Sequence, residues 1–427
     1  MIEKRTPIPV GDAVNRVMKF AGTGKIEWVP IKQAYGRFLA EDLIADHDIP
    51  AFDRSPYDGF AIRSEDTGSK KNVMLKVVGE IGAGSLHAKP AEPFEAVRIM
   101  TGAAIPEGFD AVVMLELVKE HSIEGKKFIE LNRAYNKGDN VSFKGEDTRE
   151  GTVLVKKGTP VNAGISALLA TFGYHSVPVS VKPVIGVLAT GSELLDVEEA
   201  LEPGKIRNSN AYMILSQIER AGAEALYFGK LEDNFNSCYR TIQTAMKQVD
   251  LLITTGGVSV GDYDYLPAIY EKLNASVLFN KVAMRPGSVT TVAEVNGKLL
   301  FGLSGNPSAC YVGFELFVRP VIRKEQGNEL PHLKKVKAVL GADFKKANPF
   351  MRFVRARIGF EEDGRISVTP SGFNKSSAVS SLADADVFIL LPGGTRGYEK
   401  GMLVDALLLN DVSGSEWPWE NIVPSYR

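Results

Sequence analysis

The chain has 427 residues, enough for several domains with sizeable cores. Lysine and arginine number 50 against 52 aspartates and glutamates, a balance that excludes a whole-protein electrostatic grip on nucleic acid or membrane. Two cysteines, Cys238 and Cys310, are too few for a disulfide framework and lack metal-ligand spacing. With no secretory apolar segment in "MIEKRTPIPVGDAV" and no run of membrane-spanning length, the sequence predicts a cytoplasmic protein.

In chain order, "VGDAVNRVMKFA" predicts an amphipathic helix, and "IKQAYGRFLAEDL", with Ile31, Tyr35, Phe38 and Leu39 at helical spacing, predicts a second. From Ala51 to about Glu146, short Val- and Ile-rich runs alternate with glycine and proline and predict a small β domain. Residues 1–50 and 147–180 are read together as a discontinuous helical and linker domain. Between residues 181 and 330 four apolar strands, "PVIGVLAT", "AEALYFGK", "DLLITT" and "KLLFGL", each lead into a polar or glycine-rich loop. This pattern predicts a parallel sheet covered by helices. Residues 331–412 predict a second small β domain, and 413–427 a tail of no assigned role.

In an open parallel sheet, ligands bind beyond the carboxyl ends of the strands. In "TTGGVSVGD" the side-chain-free Gly256, Gly257 and Gly261 let backbone N–H groups approach an anion, as a phosphate cradle requires. The same edge receives Glu193, Asp233 and Asp264, one carboxylate from each of three loops. Carboxylates beside phosphate call for a hard cation between them, and Mg²⁺ is the usual choice. Lys281 and Arg285, with Arg355 further on, supply positive charge suited to a tetrahedral oxyanion. Taken singly, each acid has a plainer reading, such as a helix cap, and most basic residues are solvated surface; their convergence is what makes a site.

The stretches "PAFDRSPYDGFAIR", "RIMTGAAIPEGFDAVVMLE", "KGED", "ATGSEL", "KIRNSN", "TTGGVSVGDYDY", "KVAMRPG" and "GLSGNPSA" resemble, in that order, the signatures of the MoeA-type molybdopterin molybdenumtransferase family, to which the E domain of gephyrin also belongs. The resemblance implies a multidomain α/β plus β chain: a central MogA/MoeA-like parallel-sheet domain, a small β domain inserted near the N-terminus and a C-terminal barrel-like β domain. It implies that adenylylated molybdopterin and molybdate are converted to molybdenum cofactor and AMP with Mg²⁺. It also implies an elongated homodimer with composite sites, and transient contact with the molybdopterin adenylyltransferase and with molybdoenzyme chaperones.

Carried over by motif, the resemblance gives catalytic roles to Glu193, Asp233 and Asp264, the same three being the metal ligands, and to Asp58, Thr101 and Asp147, the latter three arriving from the partner subunit. Contacts to the pterin nucleotide fall to Thr190, Gly191, Ser192, Asn208, Ser209, Thr255, Gly256, Gly257, Val258, Ser259, Gly261 and Pro307. Lys281, Arg285, Arg355, Ser377 and Ser381 lie where the family handles oxyanion. The chain departs from the family at "PGSV", where Ser288 and Val289 replace lysine and proline, and at "GLSGNPSA", where Ser304 and Ala309 replace proline and serine. These departures bear on the choice between molybdate and tungstate. The rival expectations are a receptor-clustering scaffold, which would be expected to carry an added N-terminal domain and long linker, and a degraded paralogue that binds or stores cofactor.

Overall fold

The structure is a computed structural model that describes residues 5–22, 24–68, 72–232, 234–257, 265–346, 349–394, 396–410 and 414–420. It divides into two compact units, one of residues 1–41, 157–167 and 174–427 and the other of residues 42–156 and 168–173.

The first unit is built on a six-stranded sheet in the order Glu224–Leu231, Val184–Thr190, Leu251–Thr255, Lys298–Leu303, Thr291–Val295, Ser276–Phe279. The first four strands are parallel and are the four read from the sequence; the fifth runs antiparallel to them and the sixth, antiparallel to the fifth, completes one edge. Ile185, Val187, Ile253 and Phe301 face one core, while Leu188, Leu252 and Leu300 face another, so both faces are buried. That two-sided burial is why the three inner strands read as unbroken apolar runs, while the edge strand Glu224–Leu231 stays largely half-buried. Helices Ser209–Ala221 and Phe235–Gln248 pack on the sheet, their buried Ile214, Ile218 and Ile242 spaced to present one apolar stripe each.

The C-terminal strands close into a ring: Met351–Phe360 pairs with Ile366–Pro370, that with Lys334–Leu340, that with Leu403–Leu408, that with Val387–Leu391, and the last returns to Met351–Phe360. Closure leaves the five strands without a free edge and encloses Leu340, Val354, Val368 and Ile389. A two-residue strand, Met284–Arg285, adds to the barrel beside Met351 and Arg352.

Helix Val10–Met18 forms as the sequence predicts, burying Val10, Ala13, Val14 and Val17. The second predicted helix does not form. A strand, Ile26–Pro30, pairs with Ser176–Ser180, and only a single 3₁₀ turn, Ile31–Gln33, follows. Gly36 has φ 74°, which ends any helix there, and Phe38 and Leu39 are buried through isolated bridges to Pro160 and Val179 while Tyr35 stays exposed. The tail is not idle: Trp417 and Trp419 pack edge-on against each other and against His332 and Phe353 respectively.

The second unit is a six-stranded sheet in the order Ala111–Met114, Gly59–Ile62, Glu95–Ile99, Val73–Ile81, Lys126–Leu131, Lys119–Ile123. Alternation assigns Phe60 and Ile62 to one cluster and Ala61 to another. The unit runs beyond the predicted 51–146 because Leu43–Ile44 pairs with Val153–Val155 and carries the boundary outward on both sides.

Candidate active site

At the carboxyl edge of the parallel strands, four segments surround a cavity of about 830 Å³: the loops after Thr190, Thr255 and Leu303, and the start of helix Ser209–Ala221. Asn208 caps that helix, its side-chain oxygen accepting from the Ala211 N–H at 3.2 Å while its amide donates to the Tyr227 hydroxyl at 2.9 Å. Two residues on, buried Asn210 donates to Thr255 Oγ1 and to the Gly305 carbonyl, both at 2.9 Å. It thereby fastens two loops of the cavity to the helix. Thr190 Oγ1 donates to the Thr255 carbonyl at 3.2 Å and joins the third loop.

Gly256 and Gly257 leave the strand with φ of 86° and 65°. A Cβ on Gly256 would lie 2.4 Å from the Thr190 carbonyl oxygen, and one on Gly257 would lie 2.7 Å from Thr190 Oγ1. Only glycine permits both the left-handed turn and this approach. Among the sequence-predicted contacts, Thr190, Gly191, Ser192, Asn208 and Ser209 line the cavity, as do Thr255, Gly256, Gly257 and Pro307. Glu193 lines it too, exposed and with its carboxylate folded over Gly191, whose absent Cβ would meet Glu193 Oε2 at 2.6 Å. Lys205 Nζ secures this loop through the Ser192 carbonyl at 2.6 Å. Asp233, Val258, Ser259, Gly261 and Asp264 lie outside the described residues. Among the described residues no group of three or more His, Cys, Asp or Glu gathers as a metal site.

A second cavity of about 450 Å³ adjoins the first, with Val289, Ser304 and Asn306 common to both. Arg285, Lys346, Arg352, Arg355 and Lys375 line it, and no carboxylate does among the described residues. Arg355 is almost wholly buried: its Nε donates to Ser381 Oγ at 3.0 Å and its Nη2 to the carbonyls of Phe373 and Lys375 at 3.1 and 3.3 Å. Burial lowers its pKa below the ordinary guanidinium value. Ser377 lines the cavity, whereas Ser381 acts at one remove by holding Arg355. Ser288 and Ala309 also line it, so the positions that depart from the family motifs sit in this wall.

Lys281 lines neither cavity; its carbonyl accepts from the Ile8 N–H at 3.2 Å. The segment bends at Ala283, where the Met284 N–H bonds back to the Val282 carbonyl at 2.8 Å, so Lys281 and Arg285 are not set one helical turn apart. Sequence reasoning also passed over Asn210, Lys205 and Arg352. Asn210 stands in the "RNSN" motif, but its role depends on loops brought in from distant strands.

In the second unit, exposed Asp58 accepts at Oδ1 from the Thr101 N–H at 2.7 Å and from Thr101 Oγ1 at 2.9 Å. These bonds, the backbone one foremost, hold its pKa below the usual carboxylate value. Asp147 is exposed, its N–H bonded to the Ile49 carbonyl at 3.0 Å.

Fold and site together define a chain whose central α/β sheet carries a nucleotide-sized, glycine-lined cavity opening onto a cationic one. Three family models match it: MoeA N-terminal region (domain I and II) over residues 8–173, probable molybdopterin binding domain over 186–324, and MoeA C-terminal region (domain IV) over 337–409. The chain belongs to the MoeA family, the molybdopterin molybdenumtransferases of molybdenum cofactor biosynthesis. It is 60% identical to the molybdopterin molybdenumtransferase of Bacillus subtilis over 98% of both chains, and 48% identical to that of Staphylococcus epidermidis over 97% of this chain and 99% of the other. Among solved structures it resembles the molybdopterin biosynthesis moeA protein of Pyrococcus horikoshii OT3, with TM-score 0.80 and 30% identity over 94% of this chain and 100% of that one.

Proposed function

We propose that the larger cavity binds adenylylated molybdopterin, that the smaller one binds molybdate, and that the enzyme releases AMP as molybdenum passes to the pterin dithiolene. The observation that carries this reading is the junction of the two cavities at Val289, Ser304 and Asn306. A pyrophosphate and a tetrahedral oxyanion bound on either side of it would be neighbours. The glycine turn at Gly256 and Gly257 brings backbone close to the phosphates, and the five cations of the smaller cavity suit an oxyanion dianion.

The described carboxylates at the larger cavity, Glu193 and Glu232, offer hard oxygen donors of the kind Mg²⁺ takes alongside phosphate oxygens. Mg²⁺ bound there would neutralise charge on the pyrophosphate. Glu193 is the residue of this chain best placed to hold it, with Asp233 and Asp264 as the further ligands proposed from sequence. Asn210 and Thr190 keep the three loops in register, so that the phosphate-binding backbone is set before substrate arrives.

The same reading makes the enzyme a cytoplasmic homodimer whose sites combine Glu193 of one subunit with Asp58 of the other. Asp58, fixed by Thr101 and exposed in its own unit, is available for such a role. The deciding experiment is an AMP-release assay with adenylylated molybdopterin, run with molybdate and tungstate side by side. Oxyanion-dependent AMP release is expected; binding of the pterin without release under either oxyanion would favour the storage reading.

A further inference from the structure

We propose that Arg352, set beside Arg285, makes the smaller cavity selective for doubly charged over singly charged tetrahedral oxyanions. The inference rests on the reading of that cavity as the oxyanion site and adds a specificity-determining residue to it.

Arg285 and Arg352 are register partners where the two-residue strand Met284–Arg285 adds to the barrel, and both line the cavity. Side by side on paired strands, their like charges repel, and burial together with Arg285 lowers the pKa of Arg352. Neither has a carboxylate partner among the described residues. Arg352 Nε is buried with no hydrogen-bond partner, and its guanidinium lies over the Phe344 ring at 5.5 Å, which holds the plane without neutralising the charge. A guanidinium with an unmet buried N–H, lining a cavity with no carboxylate among its described residues beside a second guanidinium, is arranged for an anion. A dianion neutralises both arginines. A monoanion of the same size leaves one charge uncompensated.

Tungstate and perrhenate supply the comparison, being tetrahedral oxyanions of near-equal size with charges of two and one. Equilibrium binding of sodium tungstate and sodium perrhenate to the full chain should favour tungstate. In Arg352→Gln, tungstate affinity should fall about tenfold or more, as for loss of a hydrogen bond between charged groups, while perrhenate affinity falls much less and the ratio between them collapses. Arg352→Lys should keep most of the ratio, because it keeps the charge. Arg352→Met, which retains the apolar stem over Phe344, serves if the Gln variant does not fold. Equal losses for the two anions, or no loss for either, would overturn the assignment of Arg352 while leaving the oxyanion site in place. Failure of the unaltered chain to bind either anion would remove both.

Discussion

Gly256→Ala tests whether the cavity's geometry is held by backbone or by side chains. At φ 86° an alanine costs about 1–2 kcal/mol for the left-handed conformation alone. Its Cβ would also lie 2.4 Å from the Thr190 carbonyl oxygen, against the 3.0 Å below which such contacts are essentially never found, so something must move by about 0.6 Å. Thr190 ends a strand paired to Leu231 and cannot readily yield, so the loop must, stretching the Gly256 N–H bond to the Leu303 carbonyl at the cost of about 1 kcal/mol more. The expected loss is about 2–3 kcal/mol. Gly257→Ala carries the same conformational cost, but its nearest contact, 2.7 Å, is to Thr190 Oγ1, which can rotate or be deleted. A Cβ on Gly256 also meets Thr190 Oγ1 at 2.7 Å, so Thr190→Ala should ease both variants, but Gly257→Ala more fully, because Gly256→Ala keeps its 2.4 Å clash with the carbonyl. Denaturant unfolding gives the stabilities, and titration with adenylylated molybdopterin gives the matching losses in affinity. Equal stability of the two glycine variants, or equal relief of both by Thr190→Ala, would show that the Thr190 carbonyl does not limit the residue at position 256.

Glu193→Gln should suppress AMP release far more than pterin binding, which rests on the backbone turn; unchanged release would remove the carboxylate from the mechanism. Arg285→Lys should raise the molybdate concentration needed while leaving pterin affinity nearly unchanged, because it loses the guanidinium fork; equal effects on both ligands would assign it elsewhere. Burial, aided by Arg319, pushes the His332 imidazolium down to about 4 from 6.5, so the unfolded chain takes up a proton across that window and the fold does not. Stability should therefore fall by about 3 kcal/mol as pH drops from about 6.5 to about 4, and His332→Gln, compared with the unaltered chain by denaturation across that range, should remove this part of the slope. Co-expressed Asp58→Ala and Glu193→Ala chains, each inactive alone, should recover about a quarter of all sites through heterodimers; no recovery with heterodimers demonstrated by differential tags would place both residues in one subunit or make Asp58 structural.

The three inner parallel strands were legible because burial on both faces leaves only apolar residues, and the loops because glycine marks the places where a strand end must turn sharply. Residues 31–43 misled for a related reason. Ile31, Tyr35, Phe38 and Leu39 have helical spacing, but the burial of Phe38 and Leu39 comes from bridges to Pro160 and Val179, more than a hundred residues away, and spacing carries no record of such partners. Trp417 and Trp419 were unplaced for the same cause, since their neighbours His332 and Phe353 belong to distant segments. At the site, residues in glycine-rich or acidic motifs stood out, whereas Arg352 did not. Its proposed role comes from a two-residue strand that no periodicity reveals, and from a cavity, formed only on folding, with no acid among its described lining residues.

Cys310 sits behind the wall of the larger cavity, its Sγ 3.7 Å from Thr255 Oγ1, and burial pushes its thiol up to about 12. At neutral pH it stays protonated and so offers no thiolate to a metal. On the proposed reading, a metal passing to the two sulfurs of the pterin meets no thiolate from Cys310, whereas Cys238, which lines the same cavity, donates from Sγ to the Glu232 carbonyl at 2.9 Å.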